Sequence, residues 1–79
     1  MAAKLSFTYD REGDILYISK VPPYAQQDSE ELGDDVLVRL NPENGAIENV
    51  EILFFTTRLL RSDVFEVPIS AELRPVAAE

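Results

Sequence analysis

The chain has 79 residues, 46% of them apolar and 28% charged, with a net charge of -8 and neither cysteine nor histidine. This length allows one domain that buries only about 60% of the surface its unfolded form exposes, and no disulfide or thiolate or imidazole metal site can staple it. The acidity opposes attraction to phosphate backbones and anionic bilayers, which argues against nucleic acid and membrane partners.

Lys4-Leu5-Ser6-Phe7-Thr8-Tyr9-Asp10 alternates apolar and polar residues and predicts a half-buried strand with Leu5, Phe7 and Tyr9 inward. Asp10-Arg11-Glu12-Gly13 predicts a type I turn whose glycine takes positive φ, followed by a return strand over 14–19. Lys20-Val21-Pro22-Pro23-Tyr24 ends that strand, because two prolines remove ladder donors. Residues 25–32 are weakly patterned and fit either an edge strand or a loop. Asp35-Val36-Leu37-Val38-Arg39-Leu40 reads as a strand, and the turn Asn41-Pro42-Glu43-Asn44-Gly45 leads to a central strand over 46–54. The apolar phase of that strand switches between Ile47 and Val50, consistent with a bulge near Glu48-Asn49 or with burial on both faces.

Phe55 and Leu59 lie four apart in a predicted helix over 55–62, capped by a threonine, with its arginines toward the C-terminal end. Pro68 confines Val64 to Ile69 to an edge or loop. The expected organisation is one domain over 1–70 and a frayed tail over 71–79. The expected fold is α+β: a small antiparallel β-meander of four strands, five if 25–32 pairs, with one short helix packed on a face. Leu5, Phe7, Leu16, Ile18, Val36, Val38, Leu40, Val50, Ile52, Phe54 and Leu59 are the expected core. No run approaches the roughly 20 apolar residues of a membrane span, and the start lacks an apolar signal region, so the expected location is the cytoplasm.

Tyr9-Asp10, Asp14-Ile15-Leu16-Tyr17-Ile18, Glu31-Leu32-Gly33-Asp34-Asp35-Val36, Gly45-Ala46-Ile47 and Val50-Glu51-Ile52-Leu53 together resemble the DUF2283 family of small uncharacterised proteins, over roughly residues 6 to 58. Members of that family usually carry glycine just before the hydrophobic-Glu-Ile segment, where this chain has Asn49. The resemblance implies an unknown function, with some members suspected of pairing with toxin-like proteins, and it supplies no catalytic residues.

Within the matched segments Tyr17 joins Asp10, Asp14 and Glu51 as the candidate functional residues. Glu51 lies between Val50 and Ile52, where burial would suit it to acid or base chemistry; the plainer reading is solvent exposure or pairing across strands with a residue such as Arg39. Asp10, Glu12 and Asp14 bracket a glycine turn but lack the spacing of a calcium loop, so turn stabilisation is the simpler role. No metal site or cofactor is expected. Two function classes follow. The first is an acidic protein-interaction module that neutralises a basic partner such as a toxin-like protein, its thin core completed by that contact or by self-association as a homodimer; a homodimer with no catalytic site is a third, plainer possibility. The second is a small-molecule or metal-dependent enzyme using Glu51 with Asp10 or Asp14. With no histidine or cysteine as general base or nucleophile, the balance favours binding over catalysis.

Overall fold

A computed structural model describes residues 4–62 and 64–77. The outer ends of the expected domain and tail, residues 1–3 and 78–79, and Asp63 lie outside the described residues. The elements are β1 (Ser6–Asp10), β2 (Ile15–Ser19), β3 (Asp28–Gly33), β4 (Val36–Leu40), β5 (Ile47–Leu53) and α1 (Phe55–Arg61). All pairings are antiparallel in one sheet of order β1-β2-β5-β4-β3. The expected sheet-plus-helix class holds, and residues 28–33 supply the fifth strand. A hairpin, β1-β2, and a three-stranded meander, β3-β4-β5, are joined where β2 lies beside β5. β5 is therefore the central strand, as its apolar residues on both faces require.

Register explains the phase switch. Arg39 pairs with Asn49 but Leu40 pairs with Ile47, so Glu48 is the extra residue of a bulge. A second irregularity lies between Glu31 and Gly33 on β3. The β3-β4 connection has Asp34 at φ 50° and Asp35 at φ 60°, the left-handed pair that a two-residue hairpin of right-handed twist demands. In the first hairpin the positive φ falls on Asp14, at 55°, and not on Gly13 as expected. Gly13 is there for space: a Cβ at that position would lie 2.9 Å from Asp10 Oδ2 and 3.2 Å from an Ile15 methyl carbon.

One sheet face carries the core. Leu16, Ile52 and Val36 form one cross-strand row, and Ile18, Val50 and Val38 the next. Among the described residues only Val36, Val38 and Ile52 are fully buried apolar side chains. Leu16, Ile18, Leu40 and Val50 are half-buried, whereas four expected core residues are exposed. Leu5 and Phe7 border an edge strand with no neighbour on its outer side, leaving Phe7 63% exposed. Phe54 takes φ 54° where the chain leaves β5, which turns its ring outward. Leu59 is exposed because α1 is rotated to bury Arg58 instead.

The helix start is also held differently from expectation. No threonine caps it; the N-cap residue is Phe54, which makes no side-chain cap bond. Phe55 rests against Tyr9, with ring centroids 6.2 Å apart. Beyond α1 the described residues form no helix or strand, but Phe65, Val67 and Ile69 are half-buried while Val64, Glu66, Pro68 and Ser70 are exposed. This extended segment turns alternate side chains toward the apolar sheet face. Val67 to Val76 form one wall of an open cleft of about 790 Å³ whose other wall includes Leu5, Phe7, Ile18 and Val50.

Candidate functional site

The structure does not bring the four candidate residues together. Asp10 serves its own turn, its Oδ1 accepting from the Glu12 and Gly13 amides at 3.1 and 3.3 Å. Asp14 holds the start of α1 from another part of the chain. Its carbonyl accepts from the Phe55 amide at 3.0 Å, and its carboxylate accepts from the Tyr9 hydroxyl at 2.7 Å, the Thr56 amide at 3.1 Å and the Thr56 hydroxyl at 2.8 Å. These donors, led by Tyr9 and then Thr56, hold the Asp14 carboxyl below its ordinary range.

A carboxyl with a lower pKa folded than unfolded adds stability that is present above its unfolded value, near 4, and lost as pH falls through the folded value. Asp14→Asn, which tolerates the same positive φ, is therefore expected to melt below wild type at pH 7. The gap should narrow as pH drops below about 4. A gap independent of pH would assign the loss to shape and not to charge.

Tyr17 and Glu51 are cross-strand partners on the opposite sheet face, in a row running Thr8, Tyr17, Glu51, Leu37, Glu31 across all five strands. Arg39 Nε donates to Glu51 Oε2 at 2.6 Å, and the Glu51 side chain is only 14% exposed. Glu51 is thus the partner of a cation on the next strand, the pairing its position beside Arg39 allowed. Asp14 lies three residues before Tyr17, roughly 10 Å along the strand from the Glu51 row. Among the described residues no group of three or more carboxylates could hold a metal ion.

The densest polar cluster is one that sequence reasoning passed over. Bulged Glu48 accepts from the Tyr24 hydroxyl at 2.6 Å, Gln27 Nε2 at 3.0 Å and Asn41 Nδ2 at 3.3 Å. Gln27 Nε2 also donates to Asn49 Oδ1 at 2.7 Å, and Asn49 Nδ2 donates to the Val21 carbonyl at 2.7 Å. The signal was present in the sequence: two adjacent polar residues where the apolar phase breaks. The cluster clamps the 20–27 connection across the sheet end and so fixes where β3 begins.

The bond to Glu48, then partial burial and the Glu48 charge, push the Tyr24 hydroxyl up to about 12. Conversely Tyr24, followed by Gln27, holds Glu48 below the usual carboxylate range. A raised tyrosine contributes stability fully present below its unfolded value of 10 and lost as pH rises toward about 12. Wild type is expected to lose melting temperature over that interval more steeply than Tyr24→Phe, as followed by circular dichroism. Parallel curves would mean the hydroxyl contributes nothing.

Arg58 lies at the foot of α1 with 4% exposure. Its Nε donates to the Leu53 carbonyl at 3.1 Å, its Nη1 to Asp34 Oδ2 at 3.0 Å, and its guanidinium stacks 4.5 Å from the Phe65 ring centroid. It latches β5, the β3-β4 turn and the C-terminal segment together. Helical spacing from Phe55 allowed an inward residue at three or four; Leu59 was the apolar choice, and Arg58 fills the place because a carbonyl and a carboxylate wait there.

Among the described residues no helix is long and apolar enough to cross a membrane. No curated protein and no solved structure matches the chain. The model of a family described as a protein of unknown function, DUF2283, matches residues 6–55, which span all five strands, the bulge and the hairpin that positions Asp14. The chain belongs to the DUF2283 family.

Proposed function

We propose that the chain is a small acidic protein-interaction module of the cytoplasm, in which the β3 edge receives a basic, extended segment of a protein partner. The observation that carries this reading is the chemistry of β3. It is an edge strand, and Asp28, Glu30 and Glu31 are exposed along it, with Asp35 exposed in the turn beyond. None of these four carboxylates enters an ion pair among the described residues. No lysine or arginine occurs from Val21 to Val38. An edge strand offers free main-chain donors and acceptors to an added strand, and lysine or arginine opposite these carboxylates supplies the register and the encounter rate. A basic toxin-like protein, the kind of partner the family resemblance implies, has the matching charge. The thin core and the uncovered β1 edge favour self-association as well. Asp10, Asp14 and Glu51 each already serve a turn, a helix start or an ion pair, which supports binding over catalysis.

The test is capture from host lysate at about 0.1 M and about 1 M salt, where the screening length falls from about 10 to about 3 Å. A Glu30→Lys, Glu31→Lys double variant serves alongside wild type. A basic protein held in equal ratio at low salt, and lost both at high salt and from the variant, supports the reading. Capture that ignores both changes, or no basic partner at low salt, overturns it.

A further inference from the structure

We propose that two copies of this chain pair antiparallel through β1, with Phe7 on the two-fold axis, so that the two sheets become one. This names the surface for the self-association just proposed and rests on that part of the reading, but it uses the edge opposite the acidic docking strand.

The two sheet edges differ in chemistry. β3 carries three carboxylates, which repel the same edge of another copy while they attract a basic segment. β1 has a single carboxylate, Asp10, at its end. Its pairing with β2 runs unbroken over five residues, and from Leu5 to Tyr9 it carries no charge and no proline. Leu5, Phe7 and Tyr9 are 43, 63 and 40% exposed. The exposed apolar surface continues from Leu5 and Phe7 into the cleft beneath the C-terminal segment.

The segment Lys4-Leu5-Ser6-Phe7-Thr8-Tyr9-Asp10 is complementary to itself when reversed about Phe7. Phe7 then faces Phe7 of the second copy, Leu5 faces Tyr9, Ser6 faces Thr8 and Lys4 faces Asp10. Apolar meets apolar on the core face, and on the other face hydroxyl meets hydroxyl and cation meets carboxylate, the pairings that stabilise antiparallel ladders. In the single chain Lys4 and Leu5 overhang the end of β1 and Lys4 has no ion-pair partner among the described residues. The second copy supplies a partner for both. Centring the two-fold on Thr8 would leave Lys4 and Leu5 overhanging and set Asp10 against Ser6.

Sedimentation of wild type at about 10–100 μM is expected to report a dimer; a monomer throughout overturns the proposal. Phe7→Lys and Phe7→Glu are each expected to be folded monomers that melt below the wild-type dimer, and their equimolar mixture to recover the dimer, because opposite charges then meet on the axis. A wild-type dimer that neither substitution disturbs places the interface elsewhere and overturns it. The chain lacks cysteine, so Phe7→Cys carries a single thiol. At about 10 μM it should cross-link roughly 100-fold faster than Leu60→Cys on the exposed helix surface, since an effective concentration in the millimolar range applies within a pair. Equal rates overturn the register.

Salt separates this contact from the acidic docking edge. Each copy carries -8, so screening strengthens self-pairing while it weakens capture of a basic partner. Loss of the dimer with salt-sensitive capture intact removes only the self-pairing. A robust dimer with no capture removes only the basic partner.

Discussion

Arg58→Ala should lower stability by about 2–4 kcal/mol, on the order of 10–20 °C in melting temperature for a domain of this size. The effect does not come chiefly from the ion pair with Asp34, whose side chain is 67% exposed; pairs reaching into water contribute about 0–1 kcal/mol. It comes from what the guanidinium does where it is dry. Its Nε satisfies the Leu53 carbonyl at the end of the central strand, its stem fills the space under α1, and its plane carries Phe65. Alanine leaves a cavity, an unpaired carbonyl and an unsupported aromatic ring. A helix of seven residues has no stability of its own to offset this. Asp34→Asn tolerates the positive φ and removes only the charge, and should cost about 1 kcal/mol or less. Arg58→Lys should fall between the two, since an ammonium cannot serve the carbonyl and the carboxylate in one plane. Urea denaturation of the three variants decides the matter: equal losses for Arg58→Ala and Asp34→Asn would reduce the latch to its ion pair. The loss should also be regional, with residues 64–77 becoming protease-sensitive before the sheet does.

The strands were legible because their signals are local. Alternation in Lys4 to Asp10, the β-branched run from Val36 and the Asn-Pro-Glu-Asn-Gly turn each specify their element without reference to the rest of the chain. Asn41 bears this out, its Oδ1 accepting from the Glu43 and Asn44 amides while Gly45 takes φ 74°. What sequence reading missed depends on contacts distant along the chain. Asp14 caps a helix 42 residues away, and Arg58 reaches a carboxylate 24 residues earlier. Phe7 alternates correctly and faces the apolar side, yet stays exposed because its strand is at an edge, and strand order is not written in one strand's pattern. The weak signal over 25–32 has a similar cause. β3 is polar because it is an edge, and it is held by Gln27 and Glu48 at its start more than by apolar burial.

Asn49→Gly is expected to destabilise the fold by about 2–3 kcal/mol, although the family resemblance implies glycine at this position. Here Asn49 is 3% exposed and its amide works in both directions, donating to the Val21 carbonyl and accepting from Gln27. Glycine would leave that carbonyl without a donor and Gln27 Nε2 with Glu48 as its one acceptor, while Gln27 Oε1 keeps the Tyr24 amide. Each unsatisfied buried group costs about 1–3 kcal/mol unless water reaches it, and glycine within a strand adds roughly 0.5–1 kcal/mol. The connection from Lys20 to Gln27 contains two prolines and no ladder of its own, so it depends on this clamp. The consequence reaches the proposed docking edge, because that connection delivers the chain to β3. Asn49→Gly should therefore raise amide exchange in β3 well before β1 and β2, and should weaken capture of a basic partner without altering any carboxylate. Asn49→Asp keeps the acceptor but loses the donor and sets a second carboxylate next to Glu48 in the chain, so it should destabilise as well. A glycine variant within about 0.5 kcal/mol of wild type, with β3 exchange unchanged, would show that Glu48 alone anchors the connection.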